Sequence, residues 1–356
     1  MKNSIRYWPA LYCAILFTSV SFYNCTPAKS DNTVNNKTKL KALILDGESN
    51  HGTWPKTTAM MKSYLEDSGL FTVAIERTTY IWQGPHADEI LGPEGRNALL
   101  DQYPIDSNKP YERVEEPKAD PSFNPQFENY DVVISNLGWK ASTWPDATKT
   151  SFESYMKNGG GFIVIHAANN SFGDWPEYNK MIGLGGWGGR DVKSGPYAFY
   201  NDEGKEMRDH SEGSCGSHGP RYEFTLTTRA IDHPIMKGLP MEWMHTEDEL
   251  YDRLKGPAEN MTILATAYSD VEKNGPPWAK DVKGTGRHEP LLMALEYGKG
   301  RVFHSGLGHN DYSMECIGFQ TTLLRGAEWA ATGQVTQSVP DNFPTKDKSS
   351  SVSWSM

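Results

Sequence analysis

The stretch Asn158-Gly-Gly-Gly-Phe-Ile-Val-Ile-His166 joins the end of one predicted helix to a short apolar run. Glycines end helices because they adopt backbone angles that other residues avoid. Four apolar residues between turn residues are typical of a strand with both faces buried, as in a parallel sheet. The stretch therefore predicts a helix that leads directly into a buried parallel strand.

The same pattern occurs upstream. Lys41-Ala-Leu-Ile-Leu-Asp46 and Asp131-Val-Val-Ile-Ser-Asn136 are buried runs, and Phe71–Arg77 reads as a further strand. Helices are predicted over Pro55–Asp67 and Pro145–Lys157, each opened by a proline and carrying apolar residues at helical spacing. Strands that alternate with helices predict an α/β fold with a doubly wound, mostly parallel sheet.

The remaining segments are less regular and are read as insertions into this fold. Tyr80–Gln126 is polar with weak periodicity, which predicts a long surface excursion with a short helix near Ala87–Leu91. Further strands are predicted at residues 222–228, 261–268, 290–296 and 301–304, and helices at 175–182 and 319–331. Gly298-Lys-Gly300 makes the last two strands a hairpin.

The domain organisation follows from composition along the chain. No linker divides residues 41–333, so this region is predicted to be one α/β domain. Residues 334–356 are polar and serine-rich, and we expect this C-terminal tail to fray.

The N-terminus has the pattern of a targeting segment. Residues 1–24 begin with Lys2 and Arg6 and continue into an apolar run too short to span a bilayer. Cys25 follows directly, and a polar tether extends to residue 40. This resembles a bacterial lipoprotein signal, in which Cys25 would be acylated; an ordinary cleaved signal with an incidental cysteine is the alternative. Either reading predicts export to the cell envelope, on the periplasmic or outer-membrane face.

The bulk composition limits the partners. Hydrophobic residues make up 37% and aromatic residues 12%, enough for a sizeable core. The net charge of -10 disfavours phosphate backbones and anionic lipid surfaces. Nucleic acid is therefore not expected as a partner, and membrane contact is expected only through a lipid anchor. Cys215 and Cys316 could pair after export, but the absence of a CxxC pair excludes a cysteine zinc site.

Three predicted strands end in histidine-containing loops. His51 follows the first strand and His166 ends the fourth. His304 ends a late strand, and the loop after that strand runs to His309. In open α/β sheets, ligands bind beyond the carboxyl ends of the strands. A lone histidine is more often a hydrogen-bonded core or surface residue, but several at one sheet edge predict a ligand site. Imidazole can serve there as a base or as a metal ligand.

A second cluster is His245-Thr-Glu247-Asp-Glu249-Leu-Tyr251. In an extended chain the side chains alternate, so His245, Glu247, Glu249 and Tyr251 would share one face. A histidine beside two carboxylates can perform acid–base chemistry or complete a metal site. The alternative is a solvated acidic turn.

The loop Met181–Arg190 contains five glycines and can approach a ligand closely. It matches neither GxGxxG nor a Walker loop, so nucleotide binding is not expected. Trp187 could stack against a sugar ring, and Arg190 could donate hydrogen bonds to the oxygen atoms of the sugar. His218, in the turn Ser214–Pro220, either joins the pocket or is exposed.

These segments together resemble the trehalose-utilisation (ThuA-like) family. The resemblance is carried by Asn50–Pro55, Gly159–Asn170, Trp175–Tyr178, Gly185–Arg190, His245–Tyr251, Arg287–Pro290 and Val302–His309. It implies the flavodoxin-like fold of class I glutamine amidotransferases, with irregular insertions. His166 occupies the position of the amidotransferase nucleophile, and no GxSxG elbow is present, so glutaminase or elbow-type hydrolase activity is not expected.

The resemblance also implies a role in disaccharide catabolism with 3-keto-sugars as intermediates. We therefore expect an exported protein that acts on a disaccharide or keto-sugar by hydrolysis, elimination or isomerisation, through His/Glu acid–base or metal-assisted chemistry. The alternatives are a non-catalytic sugar-binding lipoprotein and an interaction module on a degenerate amidotransferase fold.

Each candidate residue has an expected role in this hypothesis. The predicted catalytic residues are His51, His166, Glu247 and His304. The predicted substrate-binding residues are Trp54, Asn169, Trp187, Arg190, His218, His245, Glu249 and His309. The predicted ligands of a divalent metal ion are His51, His166, His245 and His304.

Overall fold

The computed structural model describes residues 38–84, 95, 98–105 and 109–356. The predicted leader, the candidate anchor Cys25, most of the tether and the predicted helix near Ala87–Leu91 lie outside these residues. Lys39–Met356 form one compact unit.

A mixed sheet of twelve strands forms the centre of the described residues, and two short strands pair separately. In chain order the strands are β1 Leu40–Ser49, β2 Phe71–Gln83, β3 Glu112–Arg113, β4 Val132–Ser135, β5 Gly161–Ile165, β6 Tyr197–Tyr200, β7 Glu206–Asp209, β8 Ser217–His218, β9 Tyr222–Thr228, β10 Glu242–Asp248, β11 Tyr251–Asp252, β12 Met261–Tyr268, β13 His288–Tyr297 and β14 Gly300–Ser305. The separate pair is β8 with β11.

Helices connect these strands, and all but the short helix Asp311–Met314 lie at predicted positions. They are α1 Trp54–Asp67, α2 Asp146–Lys157, α3 Pro176–Ile182, α4 Asp311–Met314 and α5 Ile317–Thr332. Short 3-10 helices occupy Phe127–Asn129, His166–Asn170 and Val192–Ser194.

The strand order divides the sheet into a parallel and an antiparallel half. The full order is β10-β9-β12-β13-β14-β5-β4-β1-β2-β3, with β6 and β7 attached to β13. From β14 to β3 the neighbours are parallel, and from β14 to β10 they are antiparallel. The α/β fold with a mostly parallel central sheet is therefore confirmed, as is the hairpin of β13 and β14.

Both faces of the sheet are covered, as the continuous apolar strands predicted. Alternate residues of β1 point to opposite faces, so Ile44 packs with α1 and α5 while Leu45 packs with α2 and α3. The loops after the parallel strands β1, β5 and β14 therefore meet at one edge, between two solid cores.

Two predicted features differ from the structure. β2 continues to Gln83, so the start of the predicted excursion is strand. The expected fraying of the tail is wrong, because its backbone is hydrogen-bonded to the domain. Ser350 O accepts from Ile317 N at 2.8 Å, and Thr345 O accepts from Met244 N at 2.8 Å. Phe343 is buried and packs against Trp243.

Among the described residues, every helix is too short or too polar to cross a membrane.

Replacing Phe343 by alanine should lower the free energy of unfolding by roughly 3 kcal/mol, because it removes a ring packed in the core. Urea denaturation followed by circular dichroism measures this change. Val352→Ala is the matched control, because Val352 lies in the same tail but is exposed, and it should change the free energy by less than about 0.5 kcal/mol. Equal stability of Phe343→Ala and the wild type would contradict the packed tail.

Candidate functional site

Three histidines from three strand-end loops meet at the carboxyl edge of the parallel half. His51 follows β1, His166 follows β5 and His309 follows β14. The ring centre of His51 lies 4.4 Å from that of His309 and 5.2 Å from that of His166, and His166 and His309 are 5.3 Å apart. The predicted gathering of histidines at one sheet edge is thus present, with His309 taking the place expected for His304.

Glu249, just beyond the end of β10, completes this group. Its Oε2 lies 3.0 Å from His309 Nδ1, 3.5 Å from His166 Nε2 and 3.5 Å from His218 Nε2. We call His51, His166, Glu249 and His309 the histidine–glutamate cluster. One nitrogen or oxygen atom from each of the four lies within 4.8 Å of the others. The cluster is largely buried, with only His51 partly exposed.

The distances within the cluster suit a small cation. Tetrahedral ligands about 2.0–2.1 Å from a metal ion lie roughly 3.3–3.4 Å from one another. The His166 Nε2 to His309 Nδ1 distance is 3.3 Å, and the Glu249 distances bracket the same value. His166 Nδ1–H donates to Gly306 O at 2.8 Å, which leaves the Nε2 lone pair directed at the cluster.

The charge state of Glu249 also suits a cation. Burial alone would raise its pKa, but His309, His166 and His218 outweigh burial and hold the pKa of this carboxyl well below its usual range. The carboxylate is therefore ionised, and its buried Oε2 has no well-aligned hydrogen-bond donor. A buried carboxylate oxygen without a hydrogen-bond donor is costly, so this oxygen is the atom that a cation would complete.

His166 has a strained backbone. Its φ is +43°, a left-handed conformation that non-glycine residues rarely adopt. Such strain costs on the order of 1–3 kcal/mol and persists mainly where a side chain must point in one direction. The turn from β5 into the following 3-10 helix aims the imidazole at the cluster.

Asp248 anchors the backbone around the cluster. Its carboxylate accepts hydrogen bonds from Gly308 N at 2.7 Å, Glu249 N at 2.9 Å and His309 N at 3.1 Å. His245 Nε2 lies 2.8 Å from the same carboxylate. Burial lowers the pKa of His245, but Cys316 and Asp248 raise it to about 10. His245 is therefore a buried cation that holds Asp248, which corrects its predicted role as metal ligand or substrate contact.

His304 lies beneath the cluster and not in it, which corrects the prediction that it is catalytic or a metal ligand. Both ring nitrogens are occupied within the core: Nδ1–H donates to Ile182 O at 2.8 Å, and Nε2 accepts from Asn169 Nδ2 at 3.0 Å. Asn169 is consequently a buried support for His304 and is not available to a substrate.

The alternation expected for residues 245–251 fails at a bulge. The register of β10 shifts between His245 and Asp248, so that Asp248 and Glu249 are buried while Glu247 is exposed. Glu247 therefore does not reach the cluster, which corrects its predicted catalytic role. The carboxylate that lies among the histidines is that of Glu249.

Trp54 and Arg190, which were predicted to bind substrate, have structural roles instead. Trp54 is buried beneath the cluster, where Nε1–H donates to Trp82 O at 3.1 Å. Arg190 is buried and donates to Asn179 Oδ1, Gly186 O and Ser171 O at 2.7–3.1 Å. The guanidinium thus holds the glycine-rich loop in place and does not face a ligand.

A cavity of about 590 Å³ opens beside the cluster. His51, Glu249, His309 and the predicted Trp187 and His218 line it, so these predicted residues are brought together. Nine further residues line the cavity: Asn50, Trp139, Asn170, Gly219, Pro220, Arg221, Tyr251, Pro277 and Trp278. None of them was predicted to bind substrate or metal, although Tyr251 was expected on the same face as Glu249.

For only some of these residues did the sequence contain a pattern that could have predicted a place in the cavity. Trp139 lies soon after β4, so the strand-end rule applied to that loop would have included it. Trp278 lies in the long loop between β12 and β13, where no periodicity pointed to a ligand site.

Comparison with known proteins places the chain in a family. Residues 95–330 match the family model ThuA, described as "Trehalose utilisation". The chain is also similar to a ThuA-like protein of known structure from Parabacteroides merdae, with 39% identity over 88% of this chain and 98% of that one and a TM-score of 0.72. The protein belongs to the ThuA family. Family membership supports a role related to carbohydrates.

A second solved structure supports the fold alone. It is a ThuA-like protein from Bacteroides uniformis, with 20% identity, a TM-score of 0.51 and coverage of 85% of this chain and 96% of that one. No curated protein sequence matches this chain.

Stability should decrease as the pH falls below about 6.5, because burial lowers the pKa of His304 to about 4. An unfolded histidine titrates near 6.5, so between these two values the unfolded chain binds more protons than the folded one. The loss through this one group amounts to about 3 kcal/mol by pH 4. His304→Gln should make the dependence of the free energy of unfolding on pH shallower.

Urea denaturation at half-unit steps from pH 4.5 to 7.5 measures this slope. His210→Gln is the control, because His210 is exposed, and it should keep the wild-type slope. An unaltered slope in His304→Gln would show that the buried imidazole is not the titrating group.

Proposed function

We propose that the protein is a metal-assisted enzyme that acts on a neutral disaccharide or keto-sugar. One observation carries the proposal: the buried Oε2 of Glu249 faces three imidazole nitrogens at 3.0–3.5 Å beside an open cavity. The family match supports the carbohydrate class. The chemistry is argued from the cluster.

The residues present suit a divalent cation with nitrogen and oxygen ligands. His51, His166, His309 and Glu249 would hold the ion, and His218 Nε2 lies near enough to Glu249 to serve as a further ligand or as a base. A bound divalent ion acts as a Lewis acid that polarises a carbonyl or hydroxyl oxygen of the sugar. Imidazole and carboxylate together are typical of zinc and related transition metals.

His218 is placed to handle a proton. Its Nδ1–H donates to Gly219 O at 2.8 Å, so Nε2 carries the lone pair, and burial lowers the pKa of this imidazole. A neutral imidazole can accept the proton on a carbon next to a sugar ketone, which leaves an enolate. Cleavage of the bond between the sugar carbon and the glycosidic oxygen then completes an elimination, in which the imidazolium returns its proton to the departing oxygen. Delivery of that proton to the former carbonyl carbon, while the proton of the neighbouring hydroxyl passes to the enolate oxygen, completes an isomerisation.

The cavity argues against the two non-catalytic alternatives. A degenerate interaction module would have side chains filling the pocket, whereas about 590 Å³ is open here. A sugar-binding protein needs mainly aromatic rings and amides. A buried ionised carboxylate among histidines costs stability and adds little to binding a neutral sugar.

Glu249→Gln and His166→Ala should each weaken binding of Zn²⁺ by roughly 100-fold or more, because each removes a proposed ligand. Competition with a chromogenic chelator, with metal content measured by mass spectrometry, gives the affinity. Glu247→Gln is the matched control, since it makes the same change two residues away on an exposed side chain, and it should bind Zn²⁺ like the wild type. Wild-type affinity in Glu249→Gln would refute the cluster as a metal site.

The reaction is tested with the purified full chain, metal-free and metal-loaded, mixed with glycosides and 3-keto-glycosides. Product formation is followed by mass spectrometry. We expect turnover that requires metal and is lost in His166→Ala, while Glu247→Gln retains it. Binding without turnover under every metal would instead support a sugar-binding protein.

The proposal extends to export and lipid anchoring, supported by the apolar segment that ends at Cys25. In a bacterial host, Cys25→Ala should move the protein from the membrane fraction to the soluble fraction and abolish incorporation of labelled fatty acid. Cys215→Ala is the control, because Cys215 lies in the folded domain. Continued labelling of Cys25→Ala would exclude this cysteine as the anchor.

A further inference from the structure

Trp278 is an unusually exposed tryptophan beside the candidate site. Its side chain is 58% exposed, although it lines the same cavity as the histidine–glutamate cluster. A large apolar ring kept in water forgoes the free energy that burial would give. Its ring centre lies 4.7 Å from that of His218, at an edge-on angle of 67°. The indole therefore borders the cavity next to the proposed proton acceptor.

Buried hydrogen bonds hold the loop that carries this indole. Asn274 is fully buried, donates to Leu250 O at 3.1 Å and to Asp252 Oδ2 at 3.0 Å, and accepts from Gly219 N at 3.1 Å. The loop is thereby tied both to the residue after His218 and to β11. These buried, paired groups hold the start of the loop, four residues before Trp278, and the ring contact with His218 places the indole beside the cavity.

The cavity has a second aromatic wall nearer to the cluster. The ring of Tyr251 lies 4.2 Å from that of His166, and Trp187 packs edge-on against Tyr251 at 5.2 Å. His218 lies between the two indoles, 5.9 Å from Trp187 and 4.7 Å from Trp278. Aromatic rings therefore line the cavity in two places, beside the cluster at Trp187 and Tyr251 and at the exposed rim at Trp278.

The lining also indicates an uncharged ligand with hydroxyl groups. Asn170 is buried and its Oδ1 has no hydrogen-bond partner, so it can accept from a ligand hydroxyl. Among the described lining residues, Arg221 is the one permanent cation and Glu249 the one acid, and Glu249 is directed at the histidines. A phosphorylated ligand would require a denser set of cations.

We propose that Trp278 forms an outer subsite that binds the second, non-reacting ring of a two-ring neutral glycoside, while Trp187 and Tyr251 bind the ring beside the cluster. This inference rests on the proposed function for the identity of the reacting ring. The cavity volume of about 590 Å³ lies within the range of roughly 300–1,000 Å³ that is typical of small-molecule sites. Stacking of a sugar ring would cover the exposed indole face.

The test compares binding of one-ring and two-ring probes by isothermal titration calorimetry, using the metal-loaded full chain. The probes are methyl glucoside, trehalose and cellobiose, together with their 3-keto forms. Trp278→Ala should weaken binding of the two-ring probes about tenfold, as expected for loss of one aromatic contact. Its effect on methyl glucoside should be less than about twofold. Trp278→Phe should restore most of the affinity.

Two further variants serve as controls. Trp187→Ala should weaken one-ring and two-ring probes alike, since it changes the inner wall. Tyr268→Ala removes an aromatic side chain that is 42% exposed and does not line the cavity, and it should change neither. Zinc content should stay the same in Trp278→Ala, because Trp278 carries no proposed ligand.

The outcomes separate this inference from the proposed function. Selective loss of two-ring binding without any turnover would support the subsite while the catalytic proposal fails. Turnover with equal effects of Trp278→Ala on both probe classes would overturn the subsite and leave catalysis intact. Failure of every two-ring probe to bind the wild type, or wild-type binding by Trp278→Ala, would also overturn the subsite.

Discussion

The candidate site depends on the hydrogen bonds that the buried carboxylate of Asp248 accepts. Three strands separate β10 from β14 in the sheet. The Asp248 carboxylate nevertheless accepts hydrogen bonds from the backbone that follows each of them: from Glu249 after β10, and from Gly308 and His309 after β14. A buried carboxylate is stable only with such donors. The need to satisfy Asp248, with His245 as its counter-ion, therefore fixes where Glu249 lies relative to His309.

The parallel half of the site could be predicted because its physical causes are local. Apolar runs with both faces buried mark β1, β4 and β5, and the right-handed connections of such strands bring their carboxyl ends to one edge. His51 and His166 follow directly from this rule. His309 follows from it too once β14 is known to end at Ser305, since the loop after the strand carries the cluster residue His309 and the strand itself carries the supporting His304.

The rest could not be predicted because it depends on contacts between distant segments. A bulge in β10 reverses the alternation that made Glu247 the favoured acid and makes Glu249 the buried one. Arg190 has the sequence context of a ligand contact, but its partners are backbone carbonyls of a loop whose path is set by tertiary packing. The loop that carries Trp278 is tied to the cavity wall through Asn274, which bonds Gly219, Leu250 and Asp252, about 20 to 55 residues away.

The order of the cluster residues along the chain has a consequence for biosynthesis. His51 lies near the start of the domain and His309 near its end, with Glu249 supplied by the antiparallel half. A nascent chain therefore cannot assemble the group until it has been synthesised as far as His309. Under the proposed metal-assisted function, an ion would bind only after the sheet closes, and the compartment in which the sheet closes would determine which ions compete for the site. If the chain is exported before it folds, the metal supply outside the cytoplasm, and not that inside it, selects the ion.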